Sequence, residues 1–237
     1  MSKNNKEIID IRYGDITADD KVDKVTLYGV YPFENHMFIE NLEVKFNEND
    51  NKIISINIPY SGYYMQLFIA DFLGTGKDQI MVRGGLGGSG AIEIAIIYKY
   101  ENGNLIPIFN QDTFFSKNSC IASFEDNYIV RVNCNNKEFI IDLASKEKVY
   151  LNLIYTDDGK LKTKFIPYID APTTILPIKQ SYSNHYDLII QQRIVGINNN
   201  DNLGAIQTYV SFKDDEMLIN HKVLITFGNN YDYLKLD

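Results

Sequence analysis

The sequence predicts an all-β protein: a small β-propeller of four four-stranded antiparallel blades, with five blades as the alternative. Three observations predict it. Strand-like alternation of apolar and polar residues prevails along the chain, and the 3.6-residue spacing of an amphipathic helix is absent. Aromatic residues that favour strands are plentiful, with 17 Tyr and 13 Phe. Segments of similar pattern also recur. Their loops begin at Asp15, Asp71 and Lys179, which are 56 and 108 residues apart, and 108 is twice 54. Fixed periods in this range mark repeat architectures, propellers among them. One more unit is expected near residue 125.

Taken in order, each unit reads as one strand before a loop and three after it. The first unit has Glu7–Arg12, then Val25–Val30, Phe38–Phe46 and Lys52–Ile58. The second has Phe68–Ala70 before its loop, then Ile80–Arg83, Ala91–Tyr100 and Leu105–Phe109. Asn102-Gly103 between the last two is a strong hairpin signal. The third unit is weak. Cys120–Phe124, Tyr128–Asn133 and Lys137–Leu143 alternate well enough for strands, but the loop has shrunk to Glu125-Asp126-Asn127. Lys148–Tyr155 reads as a further strand, Asp157-Asp158-Gly159 as a turn, and Phe165–Pro172 as extended chain. In the fourth unit Leu188–Val195, Ala205–Phe212 and Met217–Leu224 follow the loop, with a turn at Lys213–Glu216. These units, roughly 7–60, 61–112, 113–172 and 173–227, are expected to form a single domain over residues 1–237. The first strand is expected beside the last unit, in a shared blade.

The bulk numbers bound the partners. With 237 residues, 45% of them hydrophobic, the chain can fill a core. A formal charge of −8 argues against sequence-independent nucleic-acid binding, which needs a basic surface. It suits divalent cations. The first seven residues are polar, no signal-peptide core follows, and no apolar run is long enough to span a bilayer. Cytoplasmic synthesis without membrane insertion is therefore expected. Cys120 and Cys134 flank a predicted hairpin and are read as two reduced, half-buried thiols; their spacing is not that of a zinc site.

The first loop carries the chemistry. Asp15, Thr17, Asp19 and Asp23 put oxygen-bearing side chains at relative positions 1, 3, 5 and 9, and the backbone carbonyl of Lys21 falls at position 7. A hard cation such as calcium wants about six to eight oxygens. Strand-like flanks, and Thr26 at position 12, distinguish the loop from the helix-flanked calcium motif. One calcium ion is expected at Asp15, Thr17, Asp19, Lys21 and Asp23. Asp20 stands at position 6, where glycine is usual because φ is positive. The second loop offers Asp71, Leu73, Thr75 and Gln79, and the third Lys179, Ser181, Ser183 and Asp187. Leu73 supplies no oxygen, and Lys179 would repel a cation.

The spacing Asp15-x-Thr17-x-Asp19-x-x-x-Asp23-x-Val25, with its degenerate copy at Asp71–Ile80, resembles FG-GAP/VCBS-type repeats, the blades of integrin-like β-propellers. In its order of units, the chain over residues 7–227 is similar to short VCBS-repeat proteins of spore-forming Firmicutes, some labelled spore coat proteins. The resemblance implies calcium held between blade strands by the first loop's residues. It brings no catalytic residues.

Other candidates are weaker. Gly85-Leu86-Gly87-Gly88-Ser89-Gly90 matches GxGxxG, but a β-like run follows where a dinucleotide site needs a helix. It reads as a flexible connection close to a ligand or to the propeller axis. His36, His185 and His221 lie far apart and read as surface or loop residues. Glu93, inside an apolar strand, is expected to face solvent. Tyr60, Tyr63 and Tyr64, around Gly62, could stack on a sugar ring or a partner, although core packing is the commoner use.

The function expected is a non-enzymatic, calcium-stabilised binding or structural module of a spore-surface or cell-surface layer, with a protein or carbohydrate partner. The alternatives are a carbohydrate-active hydrolase or lyase with its site at the propeller mouth, and a calcium-dependent lectin.

Overall fold

The structure is a computed structural model that describes residues 5–33, 37–49, 52–162 and 165–226. The described chain is all-β apart from two short helices. Its strands follow one another as antiparallel meanders. β1 (Glu7–Gly14), β2 (Asp23–Val30), β3 (Phe38–Asn49) and β4 (Lys52–Asn57) pair in sequence order. β5 (Gly62–Ala70), β6 (Gln79–Gly87), β7 (Ile92–Glu101) and β8 (Asn104–Asn110) repeat the pattern. After α1 (Gln111–Lys117) come β9 (Ile121–Glu125), β10 (Ile129–Cys134) and β11 (Lys137–Asp142). α2 (Lys148–Ile154) and β12 (Tyr168–Ile169) lead to β13 (Thr174–Lys179), β14 (Tyr186–Val195), β15 (Asn202–Lys213) and β16 (Glu216–Ile225).

The turn chemistry acts as the residues dictate. Asn102 and Gly103 both take positive φ, 50° and 83°, and Asp214 and Asp215 do the same between β15 and β16. Two consecutive left-handed residues give the hairpin turn whose twist matches that of the strands.

No closed propeller is found among the described residues. β3 pairs not only with β2 and β4 but also with β5, through Phe38–Tyr63 and Ile39–Gly62. That pairing merges the first two meanders into one eight-stranded sheet instead of two separate blades. The middle meander has three strands. Among the described residues β1 pairs only with β2, at the sheet's edge, and β16 pairs with β15, so the first and last described strands share no blade.

One predicted strand is a helix. In 148–154, Tyr150, Leu151 and Ile154 pack onto a core cluster, while Val149 and Leu153 stay exposed. That face has helical spacing, but seven residues are too few for the period to show in sequence.

The chain divides into two compact units. The first holds the described residues up to Ser116, with 172–191 and 208–222. The second holds 117–171, 192–207 and the described residues from Val223 on. In the first unit the central strands are buried on both faces. Leu67, Val82 and Ile96 share one cluster with Leu27 and Phe46. Met81 and Ile97 point the other way, toward Phe72, Phe109 and Phe212. Burial on both sides explains the unbroken apolar runs Ile80–Val82 and Ile94–Tyr98. In the second unit Phe124, Val130, Val132, Tyr155, Ile194 and Ile206 form the core. No helix among the described residues is long and apolar enough to cross a membrane.

Cys120 and Cys134 are joined, which corrects the reading of two reduced thiols. Asn133 faces Ile121 across β9 and β10, so the next pair outward is Cys134 with Cys120, Cα atoms 4.3 Å apart. The bridge spans a sequence separation of 14 residues. Closing a loop of about that size contributes about 3 kcal/mol, chiefly by restricting the unfolded chain. Reductant should therefore lower the denaturant midpoint of the wild type. It should leave a Cys120→Ser, Cys134→Ser double variant unchanged at that lower midpoint.

Candidate functional site

The first two repeat loops share one backbone. In the first, Ala18 and Asp20 take φ of 61° and 60°; in the second, Gly74 and Gly76 take 69° and 79° at the same relative positions. The acceptors match as well. Asp15 accepts from the N–H groups of Asp19 and Asp20, at 3.2 and 3.1 Å. Asp71 accepts from Thr75 and Gly76, at 3.2 and 2.8 Å. Asp23 Oδ2 accepts from the N–H groups of Ile16 and Thr17, at 2.9 and 3.0 Å. Gln79 Oε1 accepts from Phe72 and Leu73, at 2.6 and 3.1 Å. Position 9 thus needs an acceptor, not a charge, and a neutral amide serves there. Its amide nitrogen donates to the Lys77 carbonyl.

The loops are also stitched to one another. The N–H of Asp78 donates to the Asp15 carbonyl at 3.0 Å, and that of Tyr186 donates to the Asp71 carbonyl at 2.7 Å. In each case position 8 of one loop meets position 1 of the loop before it. The third loop departs from the pattern. Lys179 cannot accept, and Asp187 takes the side-chain amide of Gln180 in place of backbone N–H groups.

As arranged, these residues do not fit a calcium cage. Both Asp15 oxygens and Asp23 Oδ2 hold backbone N–H groups, Thr17 Oγ1 donates to Asp23, and Lys21 Nζ lies 3.3 Å from Asp19. Among the described residues no group of three or more His, Cys, Asp or Glu side chains is gathered as for a metal ion. His185 lies 3.7 Å from Asp187, His221 stacks on Tyr209, and His36 lies outside the described residues.

Asp78 Oδ2 accepts the Asp15 N–H at 3.1 Å. Burial, and then the neighbouring Asp71 and Asp15 carboxylates, push Asp78 above the usual carboxylate range.

A second cluster lies on β5, β6 and β7. A cleft of about 580 Å³ is bounded by Tyr63, Tyr64 and Gln66 on β5, by Arg83 and the glycines of β6, and by the turn into Glu93 on β7. Two irregularities make it. The β5–β6 register slips between Tyr63 and Gln66, and the β6–β7 register slips between Gly85 and Gly87. Bulges re-aim side chains. Tyr64 takes φ of 53° and stands 70% exposed on the cleft. A left-handed conformation costs a residue with a Cβ about 1–2 kcal/mol. Gly87, at φ of 79°, lies on the Tyr63 ring, where a Cβ would come within 2.6 Å of ring carbon.

Charge in the cleft is balanced. Arg83 Nη2 lies 3.2 Å from both Glu93 oxygens. Glu93 Oε2 also accepts the Ile175 N–H at 2.7 Å. Glu93 is therefore a partly buried, paired carboxylate and not a solvated one. Tyr60 is not part of the cleft lining; its hydroxyl bonds Asp112 and Asn110 beside α1. Reading the sequence missed Arg83. Its signal was a lone cation closing the apolar run Ile80–Val82, just before the glycines.

Residues 118–225 match the family described as the YybI C-terminal domain. Over 232 residues the chain is 26% identical to "Uncharacterized protein YybI" of Bacillus subtilis (strain 168), covering 95% of this chain and 87% of that protein. No solved structure matches. The resemblance to FG-GAP/VCBS repeats is thereby corrected: the similarity is to YybI, and the repeated loop is closed by hydrogen bonds that Gln79 makes as well as Asp23.

Asp23→Asn should lose well under 1 kcal/mol of stability, because the amide oxygen still accepts. Asp23→Ala, which strands two N–H groups, should lose about 1–3 kcal/mol. Thermal melts of both variants and the wild type, in calcium and in chelator, check this; a large calcium shift that Asp23→Asn abolishes would reverse it. For Asp78, a raised folded pKa means that its charged form destabilises the fold, and the penalty fades as pH falls toward the usual value of 3.8. Asp78→Asn should raise the melting temperature at pH 7, and the gain should vanish in melts run below pH ~4.

Proposed function

We propose that this protein is a non-enzymatic binding module whose recognition surface is the cleft between β5, β6 and β7. One observation carries the reading. The cleft combines an exposed aromatic ring with bare glycine backbone, yet its one lining carboxylate, Glu93, is committed to Arg83 and to the Ile175 N–H. Its volume falls within the range of about 300–1,000 Å³ common for small-molecule sites.

The hydrolase alternative lacks support here. Glycoside hydrolysis generally uses two carboxyl groups about 5–9.5 Å apart across the scissile bond. Among the described lining residues the cleft presents one carboxylate, held in an ion pair. Calcium at Asp15, Thr17, Asp19, Lys21 and Asp23 would be an addition to this module, not a condition of its folding. The second loop keeps the same backbone with Leu73 and Gln79 at two of those positions. Placement in a spore or cell-surface layer came with the FG-GAP/VCBS resemblance and loses its support with it.

The test is a ligand-observed NMR screen of mixed small molecules, including saccharides, nucleotides and peptides, against the wild type and Tyr64→Ala. Binders whose signal disappears in the variant are expected. In parallel, polysaccharide digests should release no new reducing ends. Release that Glu93→Gln abolishes would overturn the reading in favour of an enzyme.

A further inference from the structure

Resting on the reading of the cleft as a binding site, we propose that its ligand is a neutral glycan. One pyranose ring stacks on Tyr64, and adjacent hydroxyls sit on the Arg83–Glu93 pair, without calcium. Tyr64 is an aromatic side chain set on the rim of a cleft by a bulge and left outside the core. Its ring offers an apolar face with a polar edge, which suits the C–H face of a sugar among its hydroxyls.

The ion pair supplies the complementary half. Among the described residues, Arg83 spends only Nη2 on the protein, so Nε and Nη1 keep their donors. Among the described residues Glu93 Oε1 accepts only from Arg83, so it retains room for a second donor. A hydroxyl both accepts and donates, and can bridge from guanidinium to carboxylate in one cooperative chain. Because Glu93 already balances Arg83, the site has no net charge to attract an anion. That sets neutral sugars ahead of uronic acids and phosphates. The glycines of 84–88 leave backbone groups close to a ligand with no side chain between.

Two rivals fit less well. A nucleotide would want a helix N-terminus at its phosphates, and a β-hairpin turn occupies that place. A peptide added as a strand would need a free sheet edge; β6 and β7 are each paired on both sides, and β5, beyond its two pairs with β3, has its Leu67 N–H and C=O taken by the Asp10 and Arg12 side chains.

The experiment is calorimetric titration with malto-, cello-, xylo- and chitotetraose, and with trigalacturonate and ATP, in calcium and in EDTA. The proteins are the wild type, Tyr64→Gly, Tyr64→Trp, Arg83→Gln and Glu93→Gln, each checked by thermal melt. At least one neutral tetraose should bind equally in calcium and EDTA. Tyr64→Gly should weaken it about tenfold or more while melting no lower than wild type, since glycine accepts the positive φ. Tyr64→Trp should keep the affinity, and Arg83→Gln or Glu93→Gln should reduce it. Arg83 or Glu93 variants that melt early leave the Tyr64 pair to decide. Loss of binding in EDTA, preference for trigalacturonate or ATP, or unchanged affinity in Tyr64→Gly would each overturn the inference. A non-sugar ligand from the screen that Tyr64→Ala abolishes would overturn the glycan while leaving the binding module standing. A screen in which no ligand of any class depends on Tyr64 would overturn both.

Discussion

Backbone N–H groups that a tight loop turns inward must find acceptors, and the repeated loops are built around that requirement. An unpaired buried donor costs more than a made hydrogen bond returns. At 15–23 and at 71–79 two side chains, at the first and ninth positions, take up the donors that no strand can pair. With the loops closed in this way, their carbonyls are free to meet the next loop, and the same bond recurs from Asp78 to Asp15 and from Tyr186 to Asp71. The order of the meanders in the first unit is thus tied together at the loops as well as within the sheets.

This constraint separates two meanings of one motif. Alternating oxygens in a loop read equally as a cage for a cation and as a set of hydrogen-bond acceptors. Composition alone cannot distinguish them, because carboxylates serve both ends. The substitution at the ninth position does distinguish them. Gln79 repeats the geometry of Asp23 without its charge, whereas a cation site would be weakened by that exchange. Left-handed residues at the fourth and sixth positions are likewise demands of the turn, met by glycine in one loop and by Ala18 and Asp20 in the other.

The cleft arises differently, from two interruptions of regular pairing on either side of β6. The same slips set Tyr64 exposed on the rim and open a space lined by Arg83 and Glu93. A sheet buried on both faces has little surface to offer a ligand, so recognition is set where its pleat is broken. The family match covers 118–225, beyond the β5–β7 walls of the cleft.

Much of the fold was legible in the sequence, because alternation and turn chemistry act locally. The hairpin at Asn102-Gly103, the turn at 213–216 and the strands of the four meanders follow from side chains a few residues apart. The glycine run and the tyrosines were visible as separate features, but not their meeting. Tertiary structure alone decided that β3 would pair with β5, that 148–154 would be a helix, that Cys120 would face Cys134, and that Arg83 would hold Glu93. Each of these depends on partners distant in the chain or on packing, to which a local pattern is blind. The sequence by itself determined most of the strands, 148–154 excepted, and where their hairpins would turn. Only the three-dimensional pairing decided which strands would join and which side chains would share a site.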